Sequence, residues 1–530
     1  MSDFQNKLRR REKKFKQKQS IGNSVLKRAE ITVKFSKNKR KENLTKKRNL
    51  GKVVEQDSSN SNKMPLSTNN LNSSIKLINS NDKKSIRNGT EEIRKLLSVE
   101  EQPPNSLVIS SGIVPKFISF LKGNDQKLIF ESLWILSNLC SGSHEECKRI
   151  VDLDAISHIF NHLSSKDPNI IEQSVWAFGN IAGDCSQYRD MILNHPNSLK
   201  KLISLFNIYQ NNLEIIKIIC WALLNLCRGK PEANFSQVKC TLPIFVSLLN
   251  AEDQVLLIDA LYALSYLSDG ESIKIQSVIE TGCTFRLIEL LQSTSIEILA
   301  PTLEIFGNLV SGDHSATEKI ISVGILEALK KLIHHSHAEI KKNVCWILSN
   351  ITAGTPPQIE KVIQNGYIPP VIQLLAQDQR MDIRNEACWI ISNAIYCGTA
   401  EQISKMVSLG ALKEILNFLK KTTLPRMKII SLTSISKILK IGENEAQNSK
   451  SYNHYIQLVE QNGGVKTIEK LSNHENNEIR QLSDKILDNY LKNFDEKSED
   501  LDIIDQDDFV EILSSEDSLP IEEPNFFCEY

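Results

Sequence analysis

The stretch Trp134-Ile-Leu-Ser-Asn138 recurs as Trp176-Ala-Phe-Gly-Asn180, Trp221-Ala-Leu-Leu-Asn225, Trp346-Ile-Leu-Ser-Asn350 and Trp389-Ile-Ile-Ser-Asn393. Weaker copies, Tyr262-Ala-Leu-Ser-Tyr266 followed by Asp269, and Glu304-Ile-Phe-Gly-Asn308, fill the gap in the series. With the Asn, or Asp269, as marker, successive copies are 42, 45, 44, 39, 42 and 43 residues apart. Apolar residues at helical spacing predict a helix in each copy, with Trp and Asn on one face. A period of this length predicts a stacked helical solenoid.

A second series of residues supports the same period. Apolar residues that close a helix recur every 42 to 44 residues, at Leu121, Leu163, Phe206, Leu249, Leu291, Ile333, Leu375 and Leu419. Each unit then holds about three helices, which is the size of an armadillo or HEAT repeat. We therefore predict an all-α, right-handed α-solenoid of about ten armadillo repeats.

The repeated Trp and Asn favour a binding surface over a structural role. One isolated Trp is usually a core residue, but here Trp and Asn recur together on one helix face. An Asn has no use in an apolar core unless it is paired. We therefore interpret the series, called the ladder from here on, as an exposed surface for an extended peptide, whose backbone the carboxamides can bind.

The charge is distributed unevenly, although the net charge is +0. Residues 1–54 hold 19 Lys or Arg against 4 Asp or Glu, whereas residues 495–530 hold 14 acidic residues against one Lys. Such segments bury too little apolar surface to fold alone. The predicted organisation is a basic segment 1–54, a flexible linker 55–72, a repeat region 73–493 and an acidic disordered tail 494–530.

Other classes of protein are disfavoured by the sequence. The 11 cysteines include no Cys-x-x-Cys pair, and Cys220, Cys345 and Cys388 precede ladder positions, so we expect buried, reduced thiols. The histidines show no metal-ligand spacing, and we expect no metal or cofactor. Catalytic motifs such as GxxxxGK[ST], HExxH and GxSxG are missing, so we expect no enzyme. No apolar run reaches ~18 residues, which argues against membrane insertion.

Carboxylates beside the ladder suit a cationic ligand. Trp rings can hold the aliphatic stems of Lys or Arg and attract their charges. Acidic residues at the ends of these slots would then select basic residues; they are Glu131, Asp184, Asp259, Asp269 and Glu386. Because the Trp series is interrupted at Tyr262 and Glu304, we expect two separate peptide sites.

Together the ladder and the basic segment resemble the importin α (karyopherin α) family of nuclear import adaptors. The segment from Val33 to Asn49, ending Lys-Arg-Lys-Glu-Asn-Leu-Thr-Lys-Lys-Arg-Asn, looks like the family's importin-β-binding segment. The resemblance implies recognition of mono- or bipartite basic nuclear localisation signals, binding of importin β, recycling by a nuclear export receptor, and shuttling between cytoplasm and nucleus. It also implies an internal signal mimic at Lys46, Lys47 and Arg48, which would be autoinhibitory.

The resemblance assigns residues to two sites. It places Asp184 against the most deeply bound lysine of a ligand. The implied major site comprises Trp134, Asn138, Gly142, Cys147, Trp176, Asn180, Asp184, Trp221, Asn225, Asp259, Tyr266 and Asp269. The implied minor site comprises Glu304, Asn308, Gly312, Thr317, Trp346, Asn350, Glu386, Trp389 and Asn393.

Two alternatives stay open at this point. A basic arm of this kind commonly binds RNA or DNA, but no aromatic platform or nucleic-acid module accompanies it, so we expect no direct nucleic-acid binding. The second alternative is an armadillo scaffold of the catenin type in adhesion or signalling. Such a scaffold would need a basic surface for an acidic ligand, whereas the marked positions here are acidic.

Overall fold

The computed structural model describes Lys47 and residues 68–98, 103–449 and 452–491, and these stretches contain helices and no strand. The basic segment other than Lys47, most of the predicted linker, and the acidic tail lie outside the described residues. The first helix begins at Thr68, inside the segment predicted as a linker. The predicted count of about ten repeats stays a prediction.

The helices up to residue 397 succeed one another in groups of two short helices and one long helix. The chain divides into two compact units, and the first comprises Met1–Val371 and Gln379–Cys397. Its helices are α1 (Thr68–Ile78), α2 (Lys83–Leu97), α3 (Asn105–Ser110), α4 (Val114–Leu121), α5 (Gln126–Cys140), α6 (His144–Val151), α7 (Ala155–His162), α8 (Pro168–Asp184), α9 (Ser186–Asn194), α10 (Ser198–Ile208), α11 (Leu213–Cys227), α12 (Phe235–Val238), α13 (Leu242–Ser247), α14 (Gln254–Ser268), α15 (Ser272–Glu280), α16 (Thr284–Leu290), α17 (Ile296–Val310), α18 (His314–Ser322), α19 (Ile325–Leu329), α20 (Ala338–Thr352), α21 (Pro356–Gln364), α22 (Ile368–Gln377, which continues into the second unit) and α23 (Met381–Cys397). Short 3-10 helices follow or precede some of these, at Lys239–Thr241, Leu248–Asn250 and Leu332–His334.

The second unit comprises Ile372–Asp378 and Gly398–Tyr530. Its further helices are α24 (Ala400–Ser408), α25 (Ala411–Lys421), α26 (Pro425–Ser449), α27 (His454–Gln461), α28 (Gly464–Leu471) and α29 (Asn477–Ile486), followed by a π-helical turn Leu487–Leu491. Helix α26 carries neither Trp nor Asn at the ladder positions, so the ladder is confined to the first unit.

Local sequence signals explain where the long helices begin. An Asp or Asn precedes most of them, and its side chain accepts a hydrogen bond from the first helical turn: Asp125 before α5, Asp167 before α8, Asn212 before α11 and Asp253 before α14. Such a cap satisfies backbone donors that have no partner within the helix.

A left-handed residue precedes the second short helix of most groups. Gly takes this position in six places, while Asp154 and Asn197 take it in two, with φ of 57° and 61°. Gly, Asn and Asp tolerate this conformation best; the glycines are Gly112, Gly282, Gly324, Gly366, Gly410 and Gly463.

Long helices of successive groups pack on one another and bury the core of the first unit. Helix α8 packs between α5 and α11, and α20 packs against α17 and α23. Phe178 and Phe306 are almost fully buried on them, and Cys220, Cys345 and Cys388 are 0% exposed. The prediction that these thiols are buried is confirmed. Across the described stretches, no helix has the length and apolar character needed to cross a membrane.

Candidate peptide-binding surface

The ladder asparagines, which the sequence predicted to be exposed, are buried in this structure, and Lys47 of the chain itself contacts Asn180. They are 0–5% exposed, and the Nδ2 of each donates a hydrogen bond to a carbonyl of the preceding long helix. A carbonyl oxygen can accept two hydrogen bonds, so the side-chain amide adds a second bond to the helix carbonyl in several of these pairs and ties two repeats together. The pairs are Asn138 to Leu97 (3.2 Å), Asn180 to Ser137 (2.9 Å), Asn225 to Gly179 (2.9 Å), Asn308 to Ser265 (2.9 Å), Asn350 to Gly307 (3.3 Å) and Asn393 to Ser349 (2.9 Å).

Two ladder tryptophans, Trp221 and Trp346, pack on a glycine of the preceding repeat. A Cβ added to Gly179 would lie 2.2 Å from Cζ3 of Trp221, and one added to Gly307 would lie 1.8 Å from Cζ3 of Trp346. The glycine before the Asn therefore makes room for the ring of the next repeat. Trp221 is 3% exposed and Trp389 is 7% exposed, whereas Trp134, Trp176 and Trp346 are half-buried. Trp134, Trp176 and Trp346 therefore expose only part of each ring.

Lys47 of the chain itself occupies part of this surface. The Lys47 amide N donates to Oδ1 of Asn180 at 2.7 Å, and Nδ2 of Asn180 donates to the Lys47 carbonyl at 2.9 Å. Nε1 of Trp176 donates to the same carbonyl at 2.7 Å. On the Lys47 side, all three bonds use only backbone atoms, so these contacts, called the clamp, hold the residue without reading its side chain. Lys46 and Arg48, the other residues of the predicted mimic, lie outside the described residues.

The Lys47 side chain is recognised by a ring and a carboxylate. Its Nζ lies 5.1 Å from the centroid of the Trp221 ring, which itself stands edge-on to Trp176 at 6.3 Å. Burial lowers the pKa of Lys47, and the charge of Asp259 opposes this effect. Burial also raises the pKa of Asp259 to about 6, and Lys47 opposes that. Oδ2 of Asp259 is buried without a described hydrogen-bond partner, so a cation is the partner this carboxylate needs.

Asp184 contacts His144, a residue that the sequence analysis did not single out. Nδ1 of His144 lies 2.6 Å from Oδ2 of Asp184, and the imidazole stacks on the Tyr188 ring at 5.6 Å. Donor atoms of His144, Asp184 and Cys185 also lie within 4.8 Å of one another, close enough to hold a metal ion. Because His144 lies 40 residues before Asp184 in the sequence, ligand spacing along the sequence gave no signal. The charge of Asp259 favours the charged form of Lys47, whereas Asp184 contacts His144.

Two carboxylates predicted to face the ligand have partners within the protein. Glu131 is 4% exposed and its Oε2 accepts from Nε of Arg94 at 2.8 Å, while the Arg94 guanidinium lies 4.5 Å from the Trp134 ring centroid. Asp269 is the C-cap of α14, and Nζ of Lys230 lies 3.5 Å from its Oδ2. These internal pairs keep both residues from acting as simple cation receptors.

Asp269 does not occupy the position that Asn takes in the other repeats. Its use as the marker of the repeat spacing was therefore wrong. Tyr266 stands four residues after Tyr262 in α14, as Asn225 stands four residues after Trp221 in α11. Ser265, the residue before Tyr266, provides the carbonyl that accepts from Asn308. Tyr266, which is half-buried, therefore fills the Asn position of this repeat.

The remaining predicted residues differ in how they face the ladder surface. Cys147 and Thr317 are 0% exposed, and the Thr317 hydroxyl bonds to the Val310 and Asp313 carbonyls, so neither side chain is open to a ligand. Gly142 adjoins the capping box of α6, and a Cβ there would lie 1.9 Å from Oε2 of Glu146. Gly312 is buried beside Ala316 and Ile275. Glu304 and Glu386 are half-buried on the ladder helices α17 and α23.

Family models match both the N-terminal part of the chain and the repeat region. A model of the importin beta binding domain matches residues 11–91. Models of the armadillo/beta-catenin-like repeat match residues 103–141, 143–183, 313–353 and 355–395, and a model of an atypical Arm repeat matches residues 453–506.

Curated relatives resemble the chain over most of its length. Importin subunit alpha-5 of Arabidopsis thaliana is 39% identical over 465 residues, which cover 87% of this chain and 89% of the relative. Importin subunit alpha-1b of Oryza sativa subsp. japonica is 37% identical over 419 residues, or 78% of each chain. Among solved structures, an engineered protein matches with a TM-score of 0.69 at 22% identity, over 79% of this chain and 98% of that protein. The last likeness concerns the fold alone.

Proposed function

This chain belongs to the importin α family, and from that premise we propose that it is a nuclear import adaptor. Its ladder surface binds basic nuclear localisation signals, and its N-terminal segment links the cargo to importin β. The match of residues 11–91 to an importin beta binding domain supports the second part. The observation that carries the first part is the clamp on Lys47, where Asn180 and Trp176 hold the backbone.

Different contacts at this surface hold the ligand backbone and select the ligand side chain. Asn180 uses both ends of its carboxamide on the ligand backbone, which every peptide offers at intervals of ~3.3 Å. The side chain of the held residue then enters a slot between the Trp221 ring and the Asp259 carboxylate. A cation gains attraction from both groups, whereas an acidic residue would place two like charges together in a partly buried site.

We assign the ligand to two sites on the first unit. The major site is built around Trp134, Trp176 and Trp221 with their asparagines, and the minor site around Trp346 and Trp389 with theirs. Asn350 and Asn393 make the same bridges to the preceding helix as Asn180 does, so their Oδ1 atoms are oriented by the same bond. This equivalence supports the second site.

The basic segment is both a docking arm and a competitor. Lys47 occupies the place that a cargo lysine would take, so cargo and the chain's own segment compete for Asn180. Importin β, by binding the segment, would remove the competitor. Thermodynamic reciprocity then requires cargo to tighten importin β binding by the same factor.

The adaptor role implies further properties of this chain. It would shuttle between cytoplasm and nucleus, depend on an export receptor for recycling, and act without catalysis, a cofactor or direct nucleic-acid binding. The catenin-type alternative is disfavoured, because the buried carboxylate of Asp259 beside Trp221 suits a basic ligand.

The test is binding of a single-cluster basic peptide to the full chain and to the Asp184→Lys variant. A lysine opposite a ligand lysine replaces attraction by repulsion, at a cost of ~1 to 4 kcal/mol. Glu289→Lys is the matched control, because Glu289 is 63% exposed and pairs only locally with Arg286 in the described stretches. We expect binding to be lost in Asp184→Lys and kept in Glu289→Lys. Equal affinity in both variants would contradict the assignment of the major site.

A further inference from the structure

Three side chains of the metal-binding type meet at the end of the ladder helix α8. One ligand atom from each of His144, Asp184 and Cys185 lies within 4.8 Å of the other two. The Asp184 side chain is only 2% exposed, that of His144 is 55% exposed, and Cys185 is half-buried. The cluster can therefore be reached from solvent on the side of His144. It departs from the sequence-based expectation of no metal, which rested on histidine spacing.

Helix ends fix the backbone positions of the three residues. His144 is the first residue of α6, whose first turn is closed by a capping box. Asp184 is the last residue of α8, and Cys185 joins α8 to α9. The Tyr188 ring stacks on the His144 imidazole, with ring centroids 5.6 Å apart and an interplanar angle of 17°. Ligands that stand on rigid elements and are oriented by a neighbouring side chain suit a metal site.

The three ligand types favour zinc over magnesium or calcium. Imidazole nitrogen, thiolate sulfur and carboxylate oxygen all bind Zn²⁺, whereas Mg²⁺ and Ca²⁺ take oxygen ligands. Tetrahedral Zn²⁺ keeps such atoms roughly 3.3 to 3.6 Å apart. Nδ1 of His144 and Oδ2 of Asp184 are 2.6 Å apart, so they separate by about 1 Å to admit the ion, and the exposed imidazole has room for this movement. The fourth position is left to water.

We propose that His144, Asp184 and Cys185 bind a Zn²⁺ ion, and that this ion competes with a cationic ligand side chain for Asp184. The second part rests on the proposed function, because it concerns the same surface and the same class of ligand. Asp184 stands one helical turn after Asn180 in α8, so both side chains project from the same helix face. The ion therefore binds beside the clamp that Asn180 forms on a ligand backbone.

The competition follows from the charges at the site. A thiol that binds a metal ion loses its proton to solvent. The two positive charges of Zn²⁺ then cancel those of the Cys185 thiolate and the Asp184 carboxylate. A ligand lysine that reaches this place meets no net negative charge, and a carboxylate oxygen that could have accepted its hydrogen bond is held by the ion. Basic-peptide binding therefore weakens when zinc is bound.

The metal site is tested first with Co²⁺ on the full chain, in the presence of a phosphine reductant and without peptide. A cobalt–thiolate bond gives an absorption band in the near ultraviolet, so the spectrum reports the sulfur ligand directly. Cys185→Ser and His144→Asn each remove one ligand. Cys240→Ser is the matched control, because Cys240 is an exposed thiol outside the cluster.

We expect one equivalent of Co²⁺ to give this band in the parent and in Cys240→Ser, and Zn²⁺ to abolish it by displacement. Cys185→Ser should lose the band, and His144→Asn should bind Co²⁺ at least about tenfold more weakly. Zn²⁺ should also raise the melting temperature of the parent and not that of Cys185→Ser, because only the folded parent holds the complete site. A parent spectrum without the band overturns the proposal, as does an equal band in Cys185→Ser.

Competition is then measured with the labelled, amidated peptide Asn-Leu-Thr-Lys-Lys-Arg-Asn-Leu, which is residues 43–50 of this chain. The peptide contains no His, Cys, Asp or Glu, so its side chains offer Zn²⁺ none of these ligands. Its affinity is compared in EDTA and at the Zn²⁺ concentration that displaces cobalt. We expect Zn²⁺ to weaken binding to the parent and to Cys240→Ser by at least about tenfold, and to leave binding to Cys185→Ser nearly unchanged. Mg²⁺ at the same concentration should have no such effect.

The two measurements separate the proposal from its premise. Equal peptide affinity of the parent in EDTA and in Zn²⁺ overturns the competition, and so does an equal loss of affinity in Cys185→Ser. If no chain binds the peptide even in EDTA, the proposed function itself fails. The cobalt spectrum still decides the metal site in that case, because it is recorded without peptide.

Discussion

Replacing Lys47 by Ala should strengthen the binding of a basic peptide to the full chain, because it weakens the internal competitor. The change leaves the backbone bonds to Asn180 and Trp176 in place. It removes the ammonium that lies 5.1 Å from the Trp221 ring and the aliphatic stem that carries it. The variant therefore loses only the contribution that the Lys47 side chain makes to binding of the chain's own segment.

The magnitude follows from these contacts. The ring contact contributes ~0.5 to 2 kcal/mol, and partial burial of the stem contributes about 1 kcal/mol. The attraction to Asp259 is left out of this sum, because burial of the ammonium opposes it and the net result is a lowered pKa of Lys47. A loss of about 2 kcal/mol corresponds to roughly a thirtyfold weaker internal competitor. Peptide affinity rises by up to that factor if the segment is mostly bound in the parent chain.

The assay is fluorescence anisotropy of a labelled single-cluster basic peptide at ~0.15 M salt without importin β. Lys84→Ala is the matched control, because it removes the same charge from an exposed position on α2. Tighter binding in Lys47→Ala than in Lys84→Ala supports the competition. If Lys47→Ala binds the peptide no better than the parent chain, the segment does not compete in solution and the reasoning is refuted.

Three further predictions follow from the ladder. Gly179→Ala should lower stability by ~1 to 3 kcal/mol, because the new methyl group takes the space of the Trp221 ring; an unchanged melting temperature would contradict this. Removing Trp346 and Trp389 together should weaken a two-cluster basic peptide far more than a one-cluster peptide, since only the former gains from effective concentration; equal losses would count against a minor site. Basic-peptide affinity should fall as pH drops through about 6, because Asp259 is charged above that value and neutral below it; Asp259→Asn should flatten the profile, and a profile as steep as the parent's would refute the assignment.

The repeat architecture could be predicted because the same local sequence signals recur in each repeat. Helical spacing, Asp and Asn caps such as Asp125 and Asn212, and apolar positions all recur with the same period. Burial of Cys220, Cys345 and Cys388 followed from their shared place before a ladder residue. Such features depend on neighbours within one helix or one repeat, which a sequence displays directly.

The partners of the ladder residues could not be predicted, because they belong to other repeats. The sequence pointed to Asn180 as a ligand residue, but not to its bond with the Ser137 carbonyl. It suggested Asp269 as a ladder equivalent, whereas the helix ends before that residue and Tyr266 takes the position. Sequence spacing gave no reason to single out His144, although packing of α6 beside the end of α8 sets it on Asp184.

Local sequence signals were enough to predict the helices, their period, the surface that carries Trp and Asn, and the resemblance to importin α. Packing of the repeats was needed to establish which polar groups that surface leaves for a ligand. Glu131 is taken by Arg94, and the Asn180 amide is shared between the Ser137 carbonyl and the Lys47 carbonyl, while the charge of Asp259 acts on Lys47. The physical reason is that a buried polar group must find a partner, and in a solenoid that partner lies about one period away, at a distance that only packing can fix.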